Sequence, residues 1–170
     1  MVKRVSNDYD ITLGAASDIP DLKYVFLSLH DHYRQVSAVA LTEPDELAWG
    51  ERVRTYEQSF TDGRAFLHLA RVGDRCVGYA FTTLHEGSDD TFPLGAGFAE
   101  LYTLAVLPEF RGSAIGTALL DAVDATLSAA KIANLTVAVM ANNEAAVRLY
   151  RRRGFIPGEL ILYRIGDKVQ

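Results

Sequence analysis

The segment Arg111-Gly112-Ser113-Ala114-Ile115-Gly116-Thr117 opens an amphipathic stretch with an arginine and two glycines but no Asp or Glu. The positive end of a helix dipole favours carboxylates in the first turn. An entrance without them leaves backbone N–H groups that lack intrahelical partners and converge on one spot. Glycines let a ligand approach that backbone closely, and a guanidinium adds a charge-assisted contact. The chemistry on offer is anion binding, with a phosphate or pyrophosphate standing where the carboxylates are missing. The spacing matches neither the dinucleotide fingerprint G-x-G-x-x-G nor the P-loop G-x-x-x-x-G-K-[ST]. On the residues alone, Gly112 and Gly116 serve equally well to shape a turn and to pack a helix on a strand.

Other chemistry-bearing residues offer less. His30 and His32 are two apart, so on a helix they face different ways and cannot share a metal, and they are expected on the helix surface or at a substrate rim. The lone Cys76 has no partner for a disulfide, and with four histidines in the chain no thiolate-rich zinc site can form, so no metal is expected. Cys76 lies in a strand-like run and is expected as a small core residue; one cysteine fits a reducing cytoplasm. Arg151-Arg152-Arg153 complements a helix C-terminus. The net charge of -5 provides no broad positive field, so nucleic acid is not an expected partner. Asn134-Leu135-Thr136 fits a glycosylation sequon but adjoins an apolar run. The N-terminus has no apolar run after its basic residues, and no window approaches a bilayer span, so neither export nor a membrane partner is expected.

These residues must be positioned by a domain of 170 residues that is 49% hydrophobic and 23% charged, a globular composition. Asp10 to Leu13 alternates as a short strand, and Ala16 to Pro20 starts a helix with proline in its first turn. Leu22, Val25, Phe26, Leu29 and Tyr33 form one helical stripe; after a break at Thr42 to Asp45, Leu47, Val53, Tyr56 and Phe60 form another. Ala65 to Val72 and Cys76 to Leu84 predict a hairpin around Gly73-Asp74. The run Gly97 to Leu107, closed by Pro108, predicts a strand feeding the 111–117 segment, and Ile115, Leu119, Val123 and Leu127 mark the helix that follows. Leu135 to Met140 predicts a strand, Asn143 to Arg153 a helix stopped by Gly154, and Leu160 to Ile165 a last strand. Antiparallel strands first and a strand-helix-strand unit later give a mixed α/β sheet.

The run ELYTLAVLPEFRGSAIGTALL, followed after a strand by NNEAAVRLYRRRGF, resembles the GNAT superfamily of acetyl-CoA-dependent N-acetyltransferases. In the family pattern [QR]-x-x-G-x-[GA], Arg111, Ala114 and Gly116 take the defined positions, with Ala114 where glycine is usual. In N-x-x-A-x-x-[LF]-Y-x-x-x-G-F, Asn143, Ala146, Leu149, Tyr150, Gly154 and Phe155 match throughout. The resemblance implies about seven strands in a mixed, mostly antiparallel sheet with four helices around it. It also implies one acetyltransferase domain over residues 9–170 behind an N-terminal extension of residues 1–8.

The resemblance further assigns roles. Backbone groups of Leu104, Ala105 and Val106 would pair with the pantetheine arm of acetyl-CoA, and the N–H groups of Arg111, Gly112, Ser113, Ala114, Ile115, Gly116 and Thr117 would hold its pyrophosphate. Asn143 would bond the pantetheine or fix the neighbouring loop. Tyr150, with a phenol near its ordinary pKa, would protonate the departing thiolate as general acid. By the period of two, Phe98, Glu100, Tyr102 and Leu104 project to one side of their strand, and only Glu100 among them is an ordinary base. It also sits where the histone-acetylating branch of the family places its base carboxylate. A water relay is the alternative, and His85 and Glu86 are further candidates at the neighbouring strand end.

The implied reaction is acetyl transfer to a primary amine of a small molecule or a peptide, in a ternary complex. Glu43, Asp45, Glu46, Glu86, Asp89 and Asp90 lie in the segments that set acceptor choice in the family; they favour a small cationic amine over a protein N-terminus or lysine, or equally form a solvated surface. The other class of function is a non-catalytic acyl-CoA-binding sensor or interaction module with the same fold. A homodimer is compatible with either.

Overall fold

The computed structural model describes residues 8–39, 43–87 and 91–164. Strand β1 (Asp10–Gly14) leads through a 3-10 turn (Ala16–Leu22) into α1 (Lys23–Val36), and α2 (Asp45–Thr61) follows. The helix expected from Ala16 therefore starts as a 3-10 turn around Pro20, where the Asp18 carboxylate accepts the Ala15 N–H at 2.9 Å. Strands β2 (Ala65–Val72), β3 (Arg75–Glu86) and β4 (Gly97–Val106) form an antiparallel run, and the expected Gly73-Asp74 turn joins the first two. Helix α3 (Ile115–Ala129) crosses over to β5 (Leu135–Thr136), parallel to β4, and α4 (Glu144–Arg152) comes last. The sheet order is β1-β2-β3-β4-β5.

One face of the sheet carries α1 and α2. There Tyr56 stacks on Phe81 with ring centroids 3.8 Å apart, and Phe26 and Trp49 close the layer. The stripe of Ile115, Leu119, Leu120, Val123 and Leu127 buries α3 on the other face. Gly78 is required at that contact, because a side chain there would come within 2.9 Å of the Ala105 carbonyl and 3.4 Å of Ile115. Cys76 is buried in the same core, as expected.

Two strand expectations fail. The predicted strand Leu135 to Met140 pairs only at Leu135 and Thr136. The described part of Leu160 to Ile165 forms no strand, and Leu160, Ile161, Leu162 and Tyr163 are 63–83% exposed, while Ile165 lies outside the described residues. The described sheet thus has five strands rather than about seven. β-rich composition records a capacity to pair, and here no described neighbour completes the ladder.

A bulge modifies β4. Phe81 pairs with Thr103 and Thr82 with Leu101, which leaves Tyr102 as the extra residue. Tyr102 and Thr103 consecutively reach the same side chain, Arg52. The alternation expected through Phe98, Glu100, Tyr102 and Leu104 is therefore broken at Tyr102, and Leu104 turns to the α3 face.

Candidate active site

Strand β4 carries a backbone edge that nothing in the described sheet covers. β5 pairs with it only at Ala99 and Glu100, so from Leu101 onward, through Leu104, Ala105 and Val106, the β5 side of β4 has no strand partner among the described residues. The chain then makes a 3-10 turn over Pro108–Phe110, with Phe110 buried. The Ser113 hydroxyl donates to the Phe110 carbonyl. Arg111 folds back and donates Nε–H to the Val106 carbonyl at 3.1 Å, so part of its guanidinium is committed to the strand end.

The helix entrance itself is bare. Ala114 is the N-cap of α3 and makes no side-chain cap, and no acidic residue stands in the first turn. The first helical bond runs from the Ala118 N–H to the Ala114 carbonyl at 2.9 Å. Ahead of it, the N–H groups of Ile115, Gly116 and Thr117 point out of the helix without a side-chain acceptor. A side chain built at Gly116 would meet nothing within 4 Å, so this glycine is not there to pack α3 on the sheet. Gly112, at φ +78°, is needed for the turn. Ala114 takes φ +65°, the left-handed region, where a β-carbon costs about 1–2 kcal/mol. The alanine at the usual glycine position thus keeps the loop's shape at a cost in strain.

Helix α4 is fixed to α3 by Arg153, which pairs with Asp121 at 2.7 Å and Asp124 at 2.5 Å. Asn143 caps α4, its side-chain oxygen accepting the Ala146 N–H at 3.2 Å. Tyr150 is buried against Phe155, with ring centroids 5.5 Å apart. Among the described residues its hydroxyl makes no hydrogen bond. Burial, with a smaller contribution from Tyr33, pushes the phenol well above its usual value. The expected near-ordinary phenol is corrected accordingly.

Glu100 and His85, separate candidates in the sequence, come together. His85 Nε2 lies 3.3 Å from Glu100 Oε2, and the imidazole stacks on Phe98 at 4.9 Å. Glu100 remains partly open to solvent. Glu86 is exposed and lies 3.6 Å from Arg64. A recess of about 460 Å³ lined by His85, Phe98, Arg64 and Lys131, among others, adjoins this end of the sheet.

The acidic segments are largely paired. Asp45 is held by Arg34 and by His30 at 3.1 Å, contacts that lower its carboxyl below the usual range, Arg34 contributing most. Glu46 pairs with Lys23 at 2.9 Å. Asp89 and Asp90 lie outside the described residues. His30, expected on a surface or rim, is instead buried and stacked on Phe26.

Sequence reasoning did not find Arg52, Tyr33 and Tyr102, which gather on the α1–α2 side of the β4 bulge. Tyr33 showed only as a member of an apolar stripe, and Arg52 carried no signal.

Among the described residues no group of three or more His, Cys, Asp or Glu side chains is placed to hold a metal ion, and no helix is long and apolar enough to cross a membrane.

Comparison with known proteins agrees with this geometry. Residues 28–155 match the model of the acetyltransferase (GNAT) family. The mycothiol acetyltransferase of Kocuria rhizophila is 34% identical over 115 residues, covering 66% of this chain and 37% of that protein. The mycothiol acetyltransferase of Geodermatophilus obscurus is 33% identical over 115 residues, covering 67% of this chain and 36% of that protein. The chain thus spans little more than a third of the length of these curated relatives. In fold, it resembles a GCN5-related N-acetyltransferase from Ralstonia eutropha (TM-score 0.74, 19% identity, 93% of this chain and 99% of that one). It also resembles an aminoglycoside N-acetyltransferase solved in complex with CoA (TM-score 0.70, 15% identity, 99% of this chain and 100% of that one). With a family match over most of its length, and a bare helix entrance beside an open strand edge at the family's motif, the chain belongs to the acetyltransferase (GNAT) family.

Proposed function

We propose that this chain transfers an acetyl group from acetyl-CoA to a primary amine by direct attack in a ternary complex, and that residues 9–170 form the domain that does so, behind an extension of residues 1–8. The observation that carries the reading is the uncapped entrance of α3 joined to the free edge of β4. The first suits a pyrophosphate held by main-chain N–H groups and the second an extended amide-bearing arm. Arg111 and the 112–117 backbone bind the anion; Leu104, Ala105 and Val106 align the arm; Asn143 holds the start of α4, on which Tyr150 is carried.

Acetyl-CoA supplies a thioester carbonyl with a thiolate leaving group. The amine forms the new C–N bond as the C–S bond breaks, and it sheds a proton while the sulfur gains one. Glu100, beside His85 and partly open to solvent, takes the amine proton directly or through one water. Tyr150 is protonated throughout the neutral range, so it hydrogen-bonds the sulfur as charge develops there and passes its proton to the departing thiolate, and solvent then reprotonates the phenolate. The acceptor is a small-molecule amine. A cationic acceptor chosen by the acidic segments loses support, because Asp45, Glu46 and Glu86 each have a cation of the chain beside them. Buried Cys76 suits a reducing compartment, the cytoplasm.

Release of free thiol from acetyl-CoA across a panel of primary amines tests the reading. Saturable CoA binding without turnover on any amine would instead make the chain a sensor or interaction module.

A further inference from the structure

Arg52 projects from α2 toward the β4 bulge. Its guanidinium carbon lies 4.8 Å from the Tyr102 ring centroid, 5.1 Å from Phe26 and 5.9 Å from Tyr56. Nη1 donates to Thr103 Oγ1 at 3.1 Å. That oxygen shares a 2.7 Å hydrogen bond with the Tyr56 hydroxyl, which shares another of 3.2 Å with Tyr79, so a buried hydroxyl chain fixes the arginine. Among the described residues no carboxylate pairs with Arg52, whereas Arg34, Arg71, Arg75 and Arg153 each have one or two. Its immediate ring contacts are all uncharged aromatics.

A guanidinium brings five N–H donors in a planar fork, and the hydroxyls of Thr103 and Tyr56 engage only part of it. Cation–π contacts offset part of its lost hydration but satisfy no donor. What remains is a fixed, partly desolvated fork with the shape that takes a carboxylate through two parallel bonds. Thr103 immediately precedes Leu104 on the free edge of β4. Glu100 lies three residues back, about 10 Å along a strand. Tyr33 stands near enough to both Arg52 and Tyr150 for their charges to be felt at its ring. The unpaired cation is therefore bonded to the same strand that carries Glu100 and Leu104.

We infer that Arg52 is the anion anchor of the acceptor site, and that the acetylated amine carries a carboxylate within a few bonds of its nitrogen, as an amino acid does. This rests on the transferase reading above. Phe26, Tyr33 and Tyr102 wall the anchor, and the low local dielectric strengthens the ion pair.

The test compares matched acceptors: L-leucine, L-leucinamide and 3-methylbutylamine, with the corresponding triplets for other amino acids and O-phosphoethanolamine as the phosphate counterpart. Thiol release is followed, and binding of the same compounds to the CoA-loaded protein is measured by calorimetry. Within the accepted triplet, the acid should exceed its amide and its decarboxylated amine by tenfold or more in kcat/KM. Arg52→Gln should raise KM for the acid at least tenfold and level the three, with acetyl-CoA affinity unchanged. Arg52→Lys keeps the charge and the ring contacts but loses the fork, and should weaken acid binding severalfold; it serves where Arg52→Gln fails to fold. Undiminished preference for the acid in a folded variant overturns the inference, as does a wild-type preference for the amide, the amine or the phosphate. If wild-type protein turns over no amine, the transferase reading fails, and calorimetry decides on Arg52 alone. Amino-acid binding lost in the variant upholds the anchor, and absence of binding to wild type removes it.

Discussion

In the proposed function, the entrance of α3 and the α1–α2 face of β4 would hold their ligands in opposite ways. At α3 the working groups are main-chain N–H donors, and the side chains matter through absence: no cap, no acid, no packing contact at Gly116. Across the strand the working groups are side chains, with Arg52 between Phe26 and Tyr102 and Glu100 against His85. A main-chain site constrains its sequence tightly, because only particular residues leave the backbone accessible. A side-chain site can be assembled from distant helices with no fixed spacing. The first kind writes a motif and the second does not.

The sharpest way to break this contrast is Gly116→Asp. The position has room for a side chain and ordinary backbone angles, and an acid in the first turn favours the helix, so the fold should hold or gain about 0.3–1 kcal/mol. A like charge about 4 Å from a pyrophosphate costs about 4 kcal/mol at a surface-like effective dielectric, so acetyl-CoA should bind on the order of 100-fold more weakly or worse. Unchanged affinity by calorimetry in the folded variant would return α3 to a purely structural role.

Tyr150→Phe tests whether a side chain completes the main-chain half. It keeps the ring packed on Phe155 and removes only the donor, so kcat should fall on the order of 100-fold with cofactor affinity intact. Because burial raises this phenol well above its ordinary 10.0, the protonated form persists through pH 9, and the ratio of wild-type to variant kcat should stay flat from pH 7 to pH 9. A ratio that declines within that window contradicts the buried donor.

Glu100→Gln probes the side-chain half and should cost less, about tenfold in kcat, because a partly exposed site lets water take over proton removal. A wild-type rate would move the base elsewhere.

The mildest change is Ala114→Gly. Relief of the left-handed alanine, worth about 1–2 kcal/mol, is partly cancelled by the extra freedom glycine gives the unfolded chain, about 0.5–1 kcal/mol. Stability should rise by up to about 1 kcal/mol, seen as about 2–4 °C in Tm, with acetyl-CoA affinity little altered. A lower Tm would mean that the strain is illusory.

How much was legible follows the same division. The α3 loop, the run into α4 and the elements before them were readable because turn residues, caps and periodic stripes act locally. Asn143 capping α4 and Gly112 at positive φ are local events of that kind. The bulge at Tyr102 was not readable, since it is a mismatch between two strands and leaves no mark in either alone. The length of β5 and the bare state of 155–164 likewise depend on partners rather than on propensity. Arg52 escaped because its meaning lies in a missing counter-ion, and an absence of that kind exists only in three dimensions.

The bare entrance of α3 also has a thermodynamic reach beyond recognition. That helix is packed across β2, β3 and β4, so whatever settles its first turn settles the central sheet too. A ligand that binds only the folded chain adds RT ln(1 + [L]/Kd) to its stability, about 2.7 kcal/mol at a hundredfold excess over Kd. Acetyl-CoA held at this entrance would therefore raise the chain's resistance to unfolding in step with the logarithm of its concentration.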